Sequence, residues 1–374
     1  MRHKRTAVIL TLLTVLFLSN VLMSIHAEIK SIAVYLPEHY LDNAELERCF
    51  SNWTEEKIVR KLGIQRRPIA AAGETSADMA VKAAEKFFEH TKYEPEGIGF
   101  VLFCTQSPDY LLPTSACLIH EKLGLPKSCG AMDFNLGCSG YIYGLSLAKG
   151  LIENGTVNNV LFITSETYSK YINPLDRATR PLFGDGAAAT FITAVKGEEQ
   201  QTAAEKIGPF VFGTDGGGAE LLIVPAGGCR MPKTAETAAE RPDGKGSIRS
   251  KEQLDMHGPG IFSFAIDRVP PTVEELLQKS GKSKNEIGCY VFHQANKYML
   301  DRLQELCGLE GLNYFNDVME RGNTVSSSIP IGMLDAWNAE MLKPDEWTML
   351  VGFGVGLSWG GTLVKLPPDF TAVI

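Results

Sequence analysis

An α/β fold of two similar halves is predicted by three features of this 374-residue chain. Short runs rich in Val, Ile and Phe alternate with longer segments of helical period, one strand–helix–strand–turn unit occurs twice, and glycines mark the tight turns. Buried strands are expected over residues 98–105, 159–164, 187–195, 288–293 and 349–354, with the first strand opening near Ile29. Helices are expected over 79–88, 115–123, 139–153, 272–278 and 297–307. Alternation of elements this size lays helices over the faces of sheets.

The repeat is read residue by residue. Ile98-Gly99-Phe100-Val101-Leu102-Phe103-Cys104 resembles Ile287-Gly288-Cys289-Tyr290-Val291-Phe292-His293. A helix follows each, then a sharp turn: Asn135-Leu136-Gly137-Cys138-Ser139 in one copy, Gly322-Asn323-Thr324-Val325-Ser326 in the other. A pseudo-two-fold core brings equivalent loops to one place, so Cys138 is expected near Asn323 and His293. The expected divisions are a leader over residues 1–27, a first half over 28–205 and a second half over 206–374. Residues 227–255, rich in Pro, Gly, Lys, Glu and Ala, read as a surface flap or a plain linker.

Composition narrows the function. The chain is 44% hydrophobic and 21% charged, as soluble globular proteins are. A formal charge of −8 argues against a nucleic-acid binder, which needs a net basic face, and leaves room for a local basic patch. The eight cysteines form no CxxC pair and no zinc-ligand spacing, so no metal is expected; their use fits a reducing cytosol. Residues 7–25 form an apolar stretch after Arg2-His3-Lys4-Arg5. It reads as a signal peptide, as a weak membrane anchor, or as untranslated sequence ahead of a true start at Met23. The last is favoured, with a cytoplasmic protein, because the chemistry below needs cytosolic substrates.

Three residues stand out chemically. Cys138 sits on a strand-to-helix turn between Gly137 and Gly140, where the helix N-terminus favours thiolate and lowers the thiol pKa. Its plain alternative is one more buried cysteine. His293 ends an apolar strand and precedes Gln294-Ala295-Asn296, the place where α/β enzymes keep their working groups; its alternative is a helix cap. Asn323 alone reads as a turn or cap residue. Gly184-Asp185-Gly186 and Gly352-Phe353-Gly354-Val355-Gly356 match no phosphate loop and point to close backbone approach, the second with an amide for an oxyanion site.

Taken in order, these segments resemble one family. Leu36-Pro37-Glu38, Gly63-Ile64, Asn135-Leu136-Gly137-Cys138-Ser139-Gly140, Leu182-Phe183-Gly184-Asp185-Gly186-Ala187, His293-Gln294-Ala295-Asn296 and Gly322-Asn323-Thr324 follow the pattern of β-ketoacyl-acyl-carrier-protein synthase III. Ser358-Trp359-Gly360 extends it, so the likeness runs from about Ile29 to the C-terminus. The resemblance implies a thiolase-like duplicated fold in a layered α-β-α-β-α arrangement and a homodimer. It implies Cys138, His293 and Asn323 as the catalytic set, with the backbone amides of Cys138 and Val355 as oxyanion hole. Cys138 would take an acyl group from a coenzyme A thioester, and malonyl-acyl-carrier protein would be the second substrate, with no further cofactor. Asn323 cannot act as a base, which favours enolate stabilisation and condensation.

The pattern also departs from the family. Lys57 stands where members that start from acetyl-coenzyme A carry a tryptophan, and Tyr298 where a basic residue is usual. Arg177 matches a nucleotide-contacting position, and Lys57, Lys61 and Asn296 complete the expected substrate contacts. The run Lys57, Arg60, Lys61, Arg66 and Arg67 would meet phosphates or an acidic carrier protein, or form a solvated face. Leu112, where phenylalanine is frequent, would line the neighbouring subunit's acyl pocket and admit a longer or branched acyl group. Competing readings are acyl transfer to oxygen or nitrogen, a catalytically dead acyl-binding subunit, and a membrane protein if residues 7–25 are kept as an anchor.

Overall fold

The computed structural model describes residues 25–50, 53–196 and 205–374. The leader, except its last three residues, lies outside them. Ile25, the last residue of the apolar stretch, already opens the first strand, four residues before the expected start. The reason is pairing: this strand runs antiparallel to the strand ending at Lys196, and Ala27 is fully buried.

Eleven strands build two sheets. In chain order they are β1 (Ile25–Tyr35), β2 (Phe100–Cys104), β3 (Gly130–Phe134), β4 (Asn159–Glu166), β5 (Gly186–Lys196), β6 (Ile207–Thr214), β7 (Cys289–Phe292), β8 (Tyr314–Phe315), β9 (Trp347–Gly354), β10 (Ser358–Lys365) and β11 (Thr371–Val373). The first sheet has the order β11-β1-β5-β4-β2-β3 and the second β6-β10-β9-β7-β8. Apart from β11, the two orders correspond strand for strand. So do the directions: β2 pairs parallel to β3 and β4 as β7 does to β8 and β9, and β5 and β10 are antiparallel to both neighbours. The duplication expected from the repeat is therefore present in the topology.

Helices α1 (Glu55–Leu62), α2 (Ser76–His90), α3 (Ser115–Lys122), α4 (Gly140–Glu153), α5 (Gly258–Ser280), α6 (Lys297–Leu306) and α7 (Ser328–Asn338) complete the framework. Helices α4 and α7 are nearly apolar on all sides, because they lie between the sheets and pack against both. Tyr141, Ile142 and Leu145 of α4 share one buried cluster with Leu102 of the first sheet and Val291 and Leu350 of the second. Helix α2 covers the outer face of the first sheet, and α5 with α6 covers the second. The layers run α-β-α-β-α.

Helix α5 corrects the sequence expectation of a short helix over 272–278. It has 23 residues and passes through Pro270 and Pro271. Proline removes a donor and crowds the preceding turn, which normally ends a helix. Here Phe264, Ala265, Val269, Val273 and Leu276 bury one continuous stripe across the break, and the Thr272 hydroxyl donates to the Arg268 carbonyl at 2.7 Å. Among the described residues no helix is long and apolar enough to cross a membrane.

Candidate active site

The turn after β3 carries Cys138, and α4 begins two residues later, in the middle layer. Gly352 and Gly354 at the end of β9 press onto this turn. A Cβ on Gly354 would fall 2.9 Å from Cys138 Sγ, and one on Gly352 2.7 Å from the Cys138 carbonyl oxygen. That is the close backbone approach the glycine spacing predicted. A Cβ on Gly137 would meet Val355 Cγ1 at 2.7 Å, so Val355 borders the Cys138 turn. The Ser139 and Ser358 hydroxyls join the two halves at 2.6 Å.

His293 follows β7 and is 2% exposed. Its backbone N–H donates to Val351 and its ring stands edge-on to Phe353. The ring Nδ1 lies 2.6 Å from the Ser328 hydroxyl, which can donate or accept and so accommodates either neutral tautomer. Asn323 is held by its backbone to the strand-like segment after Leu182: its N–H donates to Leu182 and its carbonyl accepts from Gly184. The side-chain oxygen accepts from the Val325 N–H at 2.9 Å, which leaves the amide NH2 as the available donor. Cys138, His293 and Asn323 line one pocket of about 80 Å³, together with Phe353 and Gly354.

Burial sets the protonation states. It pushes the Cys138 thiol well above its usual value, and the Glu166 carboxyl adds to this. The expectation of a lowered thiol pKa is thus corrected. A helix terminus contributes about 0.3–2 kcal/mol, whereas full burial of an ionisable group costs its charged form up to about 4–7 kcal/mol. Burial also pulls the His293 imidazole down to about 3, so the ring is a neutral base at neutral pH. Thiol and imidazole share the pocket uncharged.

The pocket shares Met256 and Gly258 with a cavity of about 780 Å³. Arg177 lines that cavity, and its guanidinium donates to the Lys245 carbonyl of the 227–255 segment. This segment carries a helical turn and a two-stranded ribbon. Arg249 within it pairs with Asp176, Asp243 and Asp255. Asn296 lines the Cys138 pocket and caps α6 by accepting from the Met299 N–H. Lys61 is exposed and sits 5.3 Å from the Trp53 ring. Lys57 is half-buried on α1 and does not line either space. Leu112 does not line this chain's own pocket; it is 86% exposed beside Tyr110 and Leu111.

One member of the expected basic run is misplaced. Arg67 is fully buried, donating to the Leu41 and Pro181 carbonyls and to Asn43 Oδ1, so it faces no phosphate or carrier. Several groups were missed. Trp53 reaches the large cavity from one turn ahead of Lys57, a signal present in the spacing. Glu166, Gln106 and Tyr168 gather beside the Cys138 turn, and nothing local in the sequence marked them. Among the described residues no group of His, Cys, Asp and Glu is arranged to hold a metal ion.

Two sheets of one topology, stacked through α4 and α7 with a thiol at their junction, define a thiolase-like fold. The sequence matches the family described as 3-Oxoacyl-[acyl-carrier-protein (ACP)] synthase III over residues 132–219, and that family's C-terminal part over residues 277–366. It is 37% identical to the β-ketoacyl-[acyl-carrier-protein] synthase III of Chlamydia caviae over 91% of this chain and 96% of the relative. A crystal structure of a 3-oxoacyl-(acyl-carrier-protein) synthase III shares 47% identity, covers 91% of this chain and 100% of its own, and superposes with a TM-score of 0.88. A 3-oxoacyl-(acyl-carrier protein) synthase from Burkholderia xenovorans gives 32%, 93%, 97% and 0.84 in the same terms. The chain belongs to the β-ketoacyl-acyl-carrier-protein synthase III family.

Proposed function

We propose that the protein joins an acyl group held on Cys138 to malonyl-acyl-carrier protein, releasing carbon dioxide and giving a 3-oxoacyl-acyl-carrier protein. The observation that carries this reading is the shared pocket of Cys138, His293 and Asn323, three residues from three separate elements. In the first half-reaction the Cys138 thiol gives its proton to the neutral imidazole as its sulfur attacks the acyl-coenzyme A carbonyl. The bond to the coenzyme's sulfur breaks, and that sulfur leaves with the proton. In the second, the malonyl thioester carbonyl accepts hydrogen bonds from the imidazole N–H and the Asn323 NH2. The bond to the carboxylate breaks and its electron pair forms the enolate that these donors stabilise. The enolate carbon attacks the acyl-cysteine, whose oxyanion accepts from the amides of Cys138 and Val355. The carbon–sulfur bond then breaks, and a proton from solvent restores the thiol.

The 780 Å³ cavity suits the coenzyme's nucleotide, with Arg177 for a phosphate, the Trp53 face for the base and Lys61, beside that ring, for a second phosphate. Asn296 at the narrow end suits the pantetheine arm. The exposed Tyr110-Leu111-Leu112 tip suits a second copy of the chain, with Leu112 entering the partner's acyl pocket as in a homodimer. Coenzyme A and carrier-protein thioesters as substrates suit a cytoplasmic enzyme. The roles separate by variant. Asn323→Ala is expected to keep Cys138 acylation and to lose malonyl decarboxylation by about 10²–10³, while His293→Ala loses both. An Asn323→Ala enzyme that releases carbon dioxide at the wild-type rate contradicts the assignment.

A further inference from the structure

Glu166 ends β4 and is completely buried, yet no step above uses it. Its carboxyl accepts from the Gln106 N–H at 3.0 and 3.2 Å and from the Ser107 hydroxyl at 3.1 Å, both in the first half of the chain. It also accepts from the Ser326 hydroxyl at 2.8 Å, in the second half. Ser326 belongs to the turn that begins with Asn323. In that turn Val325 has φ +55°, a left-handed conformation that is strained for a β-branched residue. A conformation of this kind persists only when its surroundings hold it. Three bonds do so: Val325 N–H to Asn323 Oδ1, Ser327 Oγ to the Gly186 carbonyl, and Ser326 Oγ to Glu166. The first fixes which face of the Asn323 amide is left to donate. The last two anchor the turn to the opposite half.

A buried carboxyl costs stability unless its lone pairs are filled, and burial pushes Glu166 up to about 8. A site that needed only packing would hold an apolar side chain here. We propose that Glu166 is a positioning residue: by gripping Ser326 across the junction of the two halves it holds the Asn323 amide in the orientation that stabilises the enolate. The proposal rests on the condensing role given to Asn323 above, and its consequence is specific. It predicts a defect in malonyl decarboxylation, not in the loading of Cys138.

The test measures the two half-reactions separately in Glu166→Gln, Ser326→Ala and the double variant. Loading is read as the mass increase of Cys138 with acyl-coenzyme A, and decarboxylation as carbon dioxide released from malonyl-carrier protein by the loaded enzyme. Ser326→Ala is expected to load within about twofold of wild type and to release carbon dioxide at least tenfold more slowly, Glu166→Gln to show the same tenfold loss of decarboxylation, and the double variant no further loss. Parallel loss of loading and decarboxylation would reduce Glu166 to a merely structural group and overturn the proposal. Unchanged decarboxylation, or additive losses in the double variant, would overturn it too. If Glu166→Gln does not fold, Ser326→Ala decides alone, since it removes a single hydroxyl. A wild-type enzyme that never loads Cys138 would instead overturn the active-site reading itself.

Discussion

Adding one methyl group at Gly354 is expected to damage the nucleophile without touching its chemistry. A Cβ built there lies 2.8 Å from Cys138 Cβ and 2.9 Å from Sγ. Carbon pairs prefer about 3.5–4.0 Å, so the overlap is roughly 0.7–1.2 Å. Strand β9 is held in place, paired with β7 as far as Val351 and with β10 through Gly354 itself, which lies opposite Ser358. Cys138 must therefore turn or shift by something near an ångström. Overpacking of this kind costs about 1–3 kcal/mol of stability, and a misplacement near 1 Å costs about 10² in rate. Gly354→Ala should lower the rate of Cys138 acylation by about 30- to 100-fold and lower Tm by a few degrees. Gly150→Ala on α4, where a Cβ meets nothing within 4 Å, is the control and should load normally. Stopped-time mass spectrometry of the acyl adduct, with a thermal melt, reads both. Wild-type loading in Gly354→Ala would refute the argument that β9 shapes the nucleophile's position.

Three further outcomes follow from the same geometry. His293, held near 3 in the folded state, binds no proton where the unfolded chain does, so it contributes stability that is complete above about 6.5 and is lost as pH falls toward 3. Wild type should lose up to about 1.4 kcal/mol per pH unit more than His293→Gln over that window; urea midpoints of the pair between pH 7 and pH 4.5 check it, and parallel curves would contradict it. Arg249→Ala leaves Asp176, Asp243 and Asp255 without their cation and should raise KM for the acyl-coenzyme A substrate about tenfold with kcat within twofold, since the pair with buried Asp176 ties the ribbon to the chain beside Arg177; steady-state kinetics measure the split. Leu112→Asp should convert the assembled protein to monomer and abolish turnover, seen by light scattering, if the 86%-exposed leucine packs on a second copy.

The site was legible wherever chemistry left a local mark. Cys138 sits between glycines, His293 closes an apolar run, and the repeated turn pairs them with Asn323 in the sequence alone. The fold was legible for the same reason, since each half repeats its own strand pattern. What stayed hidden depended on contacts far apart in the chain. Glu166 meets Ser326 and Gln106 only once both halves are stacked, and a lone glutamate at the end of an apolar strand carries no such signal. Arg67 read as one more surface cation because its three acceptors come from segments remote in sequence or only assembled by the fold. Helix α5 was cut short because proline is a true local breaker, and only the buried stripe beneath it shows why the helix continues. The thiol's pKa was misjudged because a helix terminus is visible in sequence and burial is not.

In the proposed reaction one thiol among eight, that of Cys138, carries the acyl group. Intact-mass analysis of the protein after incubation with a panel of acyl-coenzyme A thioesters tests it most directly. A single acyl adduct that maps to Cys138, disappears in Cys138→Ala and is discharged by malonyl-carrier protein is the predicted result. An adduct that survives in Cys138→Ala, or no adduct with any thioester, would contradict it.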